Sequence, residues 1–318
     1  MPDLPIDSAV RFGVSTQFPF PEAARSTMEL VERFQFDSVW VGDHIEFASP
    51  ILDPVVQLAL AAAYPSTAYL CIGVYLLPLR HPVAVAKQIA TLDRVSNARL
   101  IFGVGIGGEF PNEFAAVQVP VKERGARLTE SMVALRNLWG DAPVAHDGKY
   151  YSFPAVNIQP GPLRPGGPPM WCGGRQPKAL QRIGEHGDGW LSYVVSPQMY
   201  RDGLETIARS AEAAGRQAEA FPNGFGTGHV LFAYIDDDRE RAFEFASQTL
   251  SERYGMDFSS ATKRYVAYGR PEDVAERIAQ FHAAGVRHFA LDWLATDARR
   301  DEQMQRFSEE VRPLLSGL

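Results

Sequence analysis

"GVGIGGEF", residues 103–110, follows the apolar run Leu100-Ile101-Phe102, and the reading of this stretch decides the fold. Gly103, Gly105 and Gly108 satisfy the G-x-G-x-x-G pattern of a dinucleotide-binding turn, and Glu123 stands twenty positions beyond Gly103. In a doubly wound nucleotide-binding fold such a loop belongs to the first strand–helix unit and opens a helix at once. Here three strand-like runs precede it, and Glu109, Phe110 and Pro111 delay the next predicted helix to about residue 121. The pattern alone is weak. A barrel strand whose glycines admit close neighbours explains Gly103 and Gly105, but not a carboxylate at the strand's end.

Outward from this stretch, β-rich runs alternate with helical periodicity along the whole chain. "RFGVS" (11–15), "SVWVGD" (38–43), "YLCIGVYLLP" (69–78), "RLIFGVGIG" (99–107), "PPMWCGG" (168–174), "GWLSYVV" (189–195), "GHVLFAYI" (228–235) and "HFALDWL" (288–294) are each followed by a helical segment. Asp53-Pro54 reads as a helix cap followed by proline at the first helical position, and Gly187 reads as a helix stop. The strands are nearly continuous apolar runs, as expected where both faces of a parallel sheet are covered. Eight such units predict an α/β fold of the (β/α)8 TIM barrel type, one domain over residues 1–318. Two insertions break the rhythm: a hairpin with an Asp147-Gly148 turn within 144–167, after the helix of the fourth unit, and residues 251–273 around the seventh helix.

The net charge of −7 argues against a general nucleic-acid binder. No stretch reaches the roughly 18 apolar residues of a membrane span. Two cysteines without C-x-x-C spacing and a start lacking a signal-like apolar segment predict a reducing, cytoplasmic setting. His81, His186, His282 and His288 share no ligand spacing, so no metal is expected.

Barrel active sites form at the C-terminal ends of the strands. Those ends carry Asp43-His44, Tyr75 to Pro78, Gly107-Gly108-Glu109, Gly173-Gly174-Arg175 and Asp292-Trp293. "CGGRQPKAL" reads as an anion site: a glycine turn, a helix start with Pro177 in its first turn, and the charge of Arg175. Lys178, Arg182, Lys263 and Arg264 read chiefly as solvated surface charges.

The segments "VWVGDHIEF", the block from 76 to 139, "YYSFPAVNIQPGPLRPGGPPMWCGGRQPKALQRIGEHGDGWL" and "YGRPEDVAERIAQFHAAGVRHFALDWL" resemble the bacterial luciferase-like superfamily, most closely its actinobacterial branch using the deazaflavin coenzyme F420. The resemblance implies an oxidoreductase that moves a hydride between F420 and a small organic substrate. His44 would exchange the proton of the substrate carbinol or carbonyl, with Asp43 fixing its tautomer or contacting cofactor hydroxyls. Glu109, in "GGEFPNEF", would supply a proton at the ring's pyrimidine edge, which requires a pKa raised by partial burial. Asn112 and Glu113 read as structural, Glu113 pairing with Arg124 or Arg127. The resemblance implies a non-prolyl cis peptide against the ring face at Gly73-Val74 or Val74-Tyr75, so that Gly73, Val74 and Tyr75 join Gly107 and Gly108 beside the ring. Gly173, Gly174 and Arg175 would hold the cofactor phosphate, and the polyglutamate tail would pass Lys178, Arg182, Lys263 or Arg264. "IEFASP" after His44 lacks the aromatic four positions on that sugar-phosphate dehydrogenases of this branch use. With Phe18, Phe20, Phe47, Tyr75, Phe110 and Trp293 read as mouth residues, this points to an apolar or aromatic substrate. The alternatives are an FMN-dependent monooxygenase of the same superfamily and a flavin-binding protein without turnover. Relatives of this kind are often homodimers, and the same is expected here.

Overall fold

A computed structural model describes residues 4–47, 50–295 and 297–318. Parallel strands close into a barrel in the order β1 (Arg11–Ser15), β2 (Ser38–Val41), β3 (Tyr69–Leu76), β4 (Leu100–Gly105), β7 (Met170–Gly173), β8 (Gly189–Tyr193), β9 (Gly226–Ile235) and β11 (His288–Trp293). The ring is completed by pairings of β8 with β9, β9 with β11 and β11 with β1. This is the (β/α)8 barrel expected from the alternation.

The outer helices are α1 (Pro21–Arg33), α2 (Pro54–Ala62), α3 (Pro82–Val95), α5 (Arg124–Leu138), α6 (Pro177–His186), α7 (Pro197–Ala213), α10 (Pro271–Ala283) and α11 (Asp297–Arg306). Most open with proline, whose missing N–H would find no intrahelical acceptor there and whose φ is already helical. The Asp53 carboxylate accepts from the N–H groups of Val55 and Val56, capping α2 as its position predicts. Gly187 ends α6, but with φ −84° rather than in a left-handed turn.

The main core lies between the barrel and this helix layer, with Phe102, Leu128, Met132, Ile183, Leu231 and Phe289 all buried. Inside the barrel Trp40, Cys71, Ile101, Trp171, Leu191 and Ala290 form a second cluster. At its centre His288 Nε2 meets Ser38 Oγ at 2.7 Å, and Trp40 Nε1 donates to the same hydroxyl at 2.8 Å.

Both insertions are present. The first is the hairpin β5 (Val144–Asp147) and β6 (Ser152–Val156), its loop running over residues 148–151. The second comprises α8 (Arg239–Tyr254), α9 (Ser259–Tyr265) and β10 (Ala267–Gly269), which pairs with the C-terminal end of β9. Its Ala246, Leu250 and Phe258 share an apolar cluster with Phe232 and Tyr234 of β9. One element was not expected: a short helix α4 (Pro111–Ala116) begins directly after Phe110 rather than near residue 121. Pro111 in its first turn and Glu113 near its positive end are ordinary helix-start signals.

Candidate active site

Two glycines of the opening stretch, Gly103 and Gly105, serve the packing of the sheet. Strand β3 bulges between Ile72 and Tyr75 where it pairs with β4, and its Gly73-Val74 peptide is cis, the first of the two expected positions. A Cβ on Gly103 would collide with the carbonyl oxygen of Ile72, and one on Gly105 with the Val74 side chain. On Gly173 of β7 a Cβ would come within 3.2 Å of Val74 Cγ1. The missing side chains on β4 and β7 let Val74 project as a half-buried apolar knob at the barrel's C-terminal end.

At the same end of the barrel stands His44, beyond the end of β2. Its Nδ1 lies 3.0 Å from Glu113 Oε1, and the Glu113 side chain has no exposed surface. The other carboxyl oxygen accepts from the N–H of Ile45 at 2.6 Å and from that of Glu46 at 3.4 Å. Phe47 stacks on the imidazole at 4.4 Å and 16°, and Phe110 meets it edge-on at 5.3 Å. The pairing of Glu113 corrects the expectation of an arginine partner. Arg124 donates to Val121 O and Arg127 to Glu123, while the fold of α4 turns Glu113 back toward His44.

Asp43, adjacent in sequence, faces elsewhere. Its enclosed carboxylate accepts from the Leu76 N–H at 2.8 Å and takes both Nη1 and Nη2 of Arg80, Nη2 at 2.8 Å. The Arg80 guanidinium in turn lies 4.2 Å over the Tyr75 ring. Burial pushes the Asp43 carboxyl up despite the opposing pull of Arg80. Contact with the imidazole, one of the two roles expected of Asp43, is made by Glu113 instead. Tyr75 is turned into the outer core against Phe102, while its neighbour Val74 takes the inner position.

Gly107 and Gly108, both at positive φ, lie just past the end of β4 and lead to Glu109. Glu109 is exposed, not partly buried. Across the mouth, Arg253 of α8 lies 3.2 Å from Asp292 at the end of β11, with Tyr254 beside them. Burial pushes the Tyr254 hydroxyl well up, with the charges of Asp292 and then Glu109 adding to it. Of the foreseen mouth aromatics, Phe47 and Phe110 contact His44 and Phe20 is exposed. Phe18 and Trp293 are core residues. Ala48, four positions after His44, lies outside the described residues.

The turn expected to hold an anion joins β7 to α6. Gly173 ends β7, Gly174 has φ +126°, and α6 starts at Pro177 with no side-chain cap from Gln176 on its first N–H groups. Arg175 is anchored by Nη1 to the carbonyls of Tyr193 and Val194 at 3.2 and 3.3 Å. An apolar knob, a histidine and an uncapped helix start at one end of the barrel fit a planar ring carrying a phosphate tail. Arg182 donates to Thr129 and is partly buried, whereas Lys178, Lys263 and Arg264 remain exposed. Among the described residues no cluster of three or more His, Cys, Asp or Glu side chains is arranged for a metal, and no helix is long and apolar enough to cross a membrane.

Sequence reasoning missed the Glu113–His44 contact and the Arg80–Asp43 pair. The second glutamate of "GEFPNEF" was the available signal for the first.

Residues 10–288 match the model of the family described as luciferase-like monooxygenase. An F420-dependent glucose-6-phosphate dehydrogenase of Amycolatopsis mediterranei is 29% identical, over 90% of this chain and 92% of its own length. The fold matches an F420-dependent secondary alcohol dehydrogenase solved with an F420-acetone adduct at a TM-score of 0.83, with 20% identity over 96% of this chain and 99% of that one. It also matches the monooxygenase RslO1 of Streptomyces bottropensis at 0.80, with 23% identity over 95% and 99%. The chain is an enzyme and belongs to the luciferase-like monooxygenase family.

Proposed function

We propose that this enzyme transfers a hydride between coenzyme F420 and an organic alcohol or carbonyl compound with an apolar or aromatic body. The observation that carries the reading is the imidazole of His44, held by Glu113 at the barrel's C-terminal end and walled by Phe47 and Phe110. The full-length likeness to an F420-dependent dehydrogenase supports the same cofactor. Bound F420 supplies a ring carbon that accepts or gives hydride, and it lacks the flavin N5 needed to activate oxygen.

In this reading Val74, Gly73, Gly107 and Gly108 would line the place taken by the ring. Gly173, Gly174 and Arg175 bind the phosphate through backbone N–H groups and charge. Asp43 holds Leu76 and Arg80 in place and so fixes the bulge behind the ring. His44 takes the hydroxyl proton as hydride leaves the same carbon, or returns it in the reverse direction. Glu109 would be the residue to exchange a proton with the ring. The aromatic surface around His44 favours an apolar substrate over a sugar phosphate.

The experiment is titration of the purified protein with F420 and with FMN, followed by turnover over a panel of alcohols and ketones. Saturable F420 binding with substrate-dependent loss of the deazaflavin's visible absorbance is expected, and His44→Ala should lower turnover by about 10²–10⁴-fold. FMN-dependent oxygen uptake would favour the monooxygenase reading instead. Binding without turnover across the panel would leave a flavin-binding protein.

A further inference from the structure

We infer that Glu113 is a positioning residue that holds the His44 proton on Nδ1 and so leaves Nε2 as the bare nitrogen facing the mouth. The inference deepens the role proposed above for His44 and rests on that reading only for its effect on turnover.

A carboxylate accepts hydrogen bonds and, when ionised, donates none. Glu113 uses one oxygen on the Ile45 and Glu46 N–H groups and the other on His44 Nδ1, so the imidazole must present its N–H there. A neutral imidazole carries one proton, and Nε2 is then a lone pair. Among the described residues Nε2 has no protein partner, and it is not a buried, unsatisfied atom; the His44 side chain keeps 15% of its surface exposed. Phe47 flat on one face and Phe110 against the edge resist rotation of the ring away from this pose. In the oxidation of a carbinol, Nε2 accepts the O–H proton while the carbon's hydrogen leaves as hydride to the deazaflavin. Two electrons and one proton go to the cofactor side and one proton to His44, leaving a carbonyl. A histidine protonated on Nε2 in its neutral form has no lone pair in this place.

Glu113→Gln tests the inference with almost no change of shape. Glutamine has a single acceptor oxygen, which the Ile45 N–H claims, so its NH₂ turns toward Nδ1 and requires a lone pair there. The neutral ring should then carry its proton on Nε2. The readout is ¹⁵N NMR of imidazole-labelled protein above the titration range of histidine, with no cofactor added. The wild-type His44, assigned by its loss in His44→Ala, should show a protonated Nδ1 and a bare Nε2, and Glu113→Gln should invert the pattern. In turnover assays Glu113→Gln should lower kcat by about 100-fold or more with little change in KM, as expected for a wrong tautomer. Glu113→Asp should recover part of the loss.

A wild-type ring protonated on Nε2 overturns the inference, whether or not Glu113→Gln folds. An unchanged tautomer and unchanged kcat in Glu113→Gln overturn it as well. If F420 fails to bind while the wild-type tautomer is as stated, the cofactor reading fails and the positioning role of Glu113 stands.

Discussion

Gly105 has no side chain because Val74 occupies the space one would need. Gly105→Ala is therefore expected to push Val74 out of its pose, at about 1–3 kcal/mol for overpacking in a region with little slack. Gly103→Ala meets a carbonyl oxygen rather than a movable side chain, and should cost more. Denaturant midpoints rank the two variants, and F420 titration shows whether loss of the knob weakens binding. A Gly105→Ala protein as stable as wild type and binding equally well would remove the knob from the argument. The glycine pattern itself was legible in the sequence, and its place after the fourth strand separated it from a nucleotide turn. What a glycine faces depends on strand pairing, which residue spacing does not carry. The same holds for Glu113, whose partner lies 69 positions away in the chain.

Among the elements, the strand–helix alternation, the hairpin and the cap of α2 were all readable, because each follows from local rules of periodicity, turn and cap. The helix α4 was not, since six residues show less than two turns of periodicity. The Arg80–Asp43 pair ties the end of β2 to the segment after β3 across 37 positions. Its carboxylate has no exposed surface, so Arg80→Met leaves a buried charge unpaired and should cost about 3–5 kcal/mol near neutral pH. The sign with pH follows from linkage. Asp43 holds its proton more tightly folded than unfolded, so the folded state loses stability as pH rises from 3.8 through the raised value. Removing Arg80 raises that value further. The deficit of the variant should therefore shrink as pH is lowered, and urea unfolding at several pH values measures it.

Across the whole molecule, two fully enclosed histidines sit in different layers. His288 lies inside the barrel against Ser38, and His229 lies outside it between Ser192 and Phe281. Burial pushes both down, each from 6.5 to about 3. The unfolded chain binds these protons at a pH where the folded one does not, so stability falls as pH drops below 6.5. Each histidine contributes about 1.4 kcal/mol per pH unit, or about 2 kcal/mol by pH 5. The wild type should thus lose about 2 kcal/mol more between pH 7 and pH 5 than His229→Phe, as read by denaturant melts. Equal losses would mean that His229 protonates without unfolding.

The segment formed by α8, α9 and β10 shares an apolar cluster with β9 and is tied to β11 through Arg253 and Asp292. Phe232 and Tyr234 of the barrel wall are at the same time walls of that cluster, so substitutions in the insertion are expected to be felt in β9.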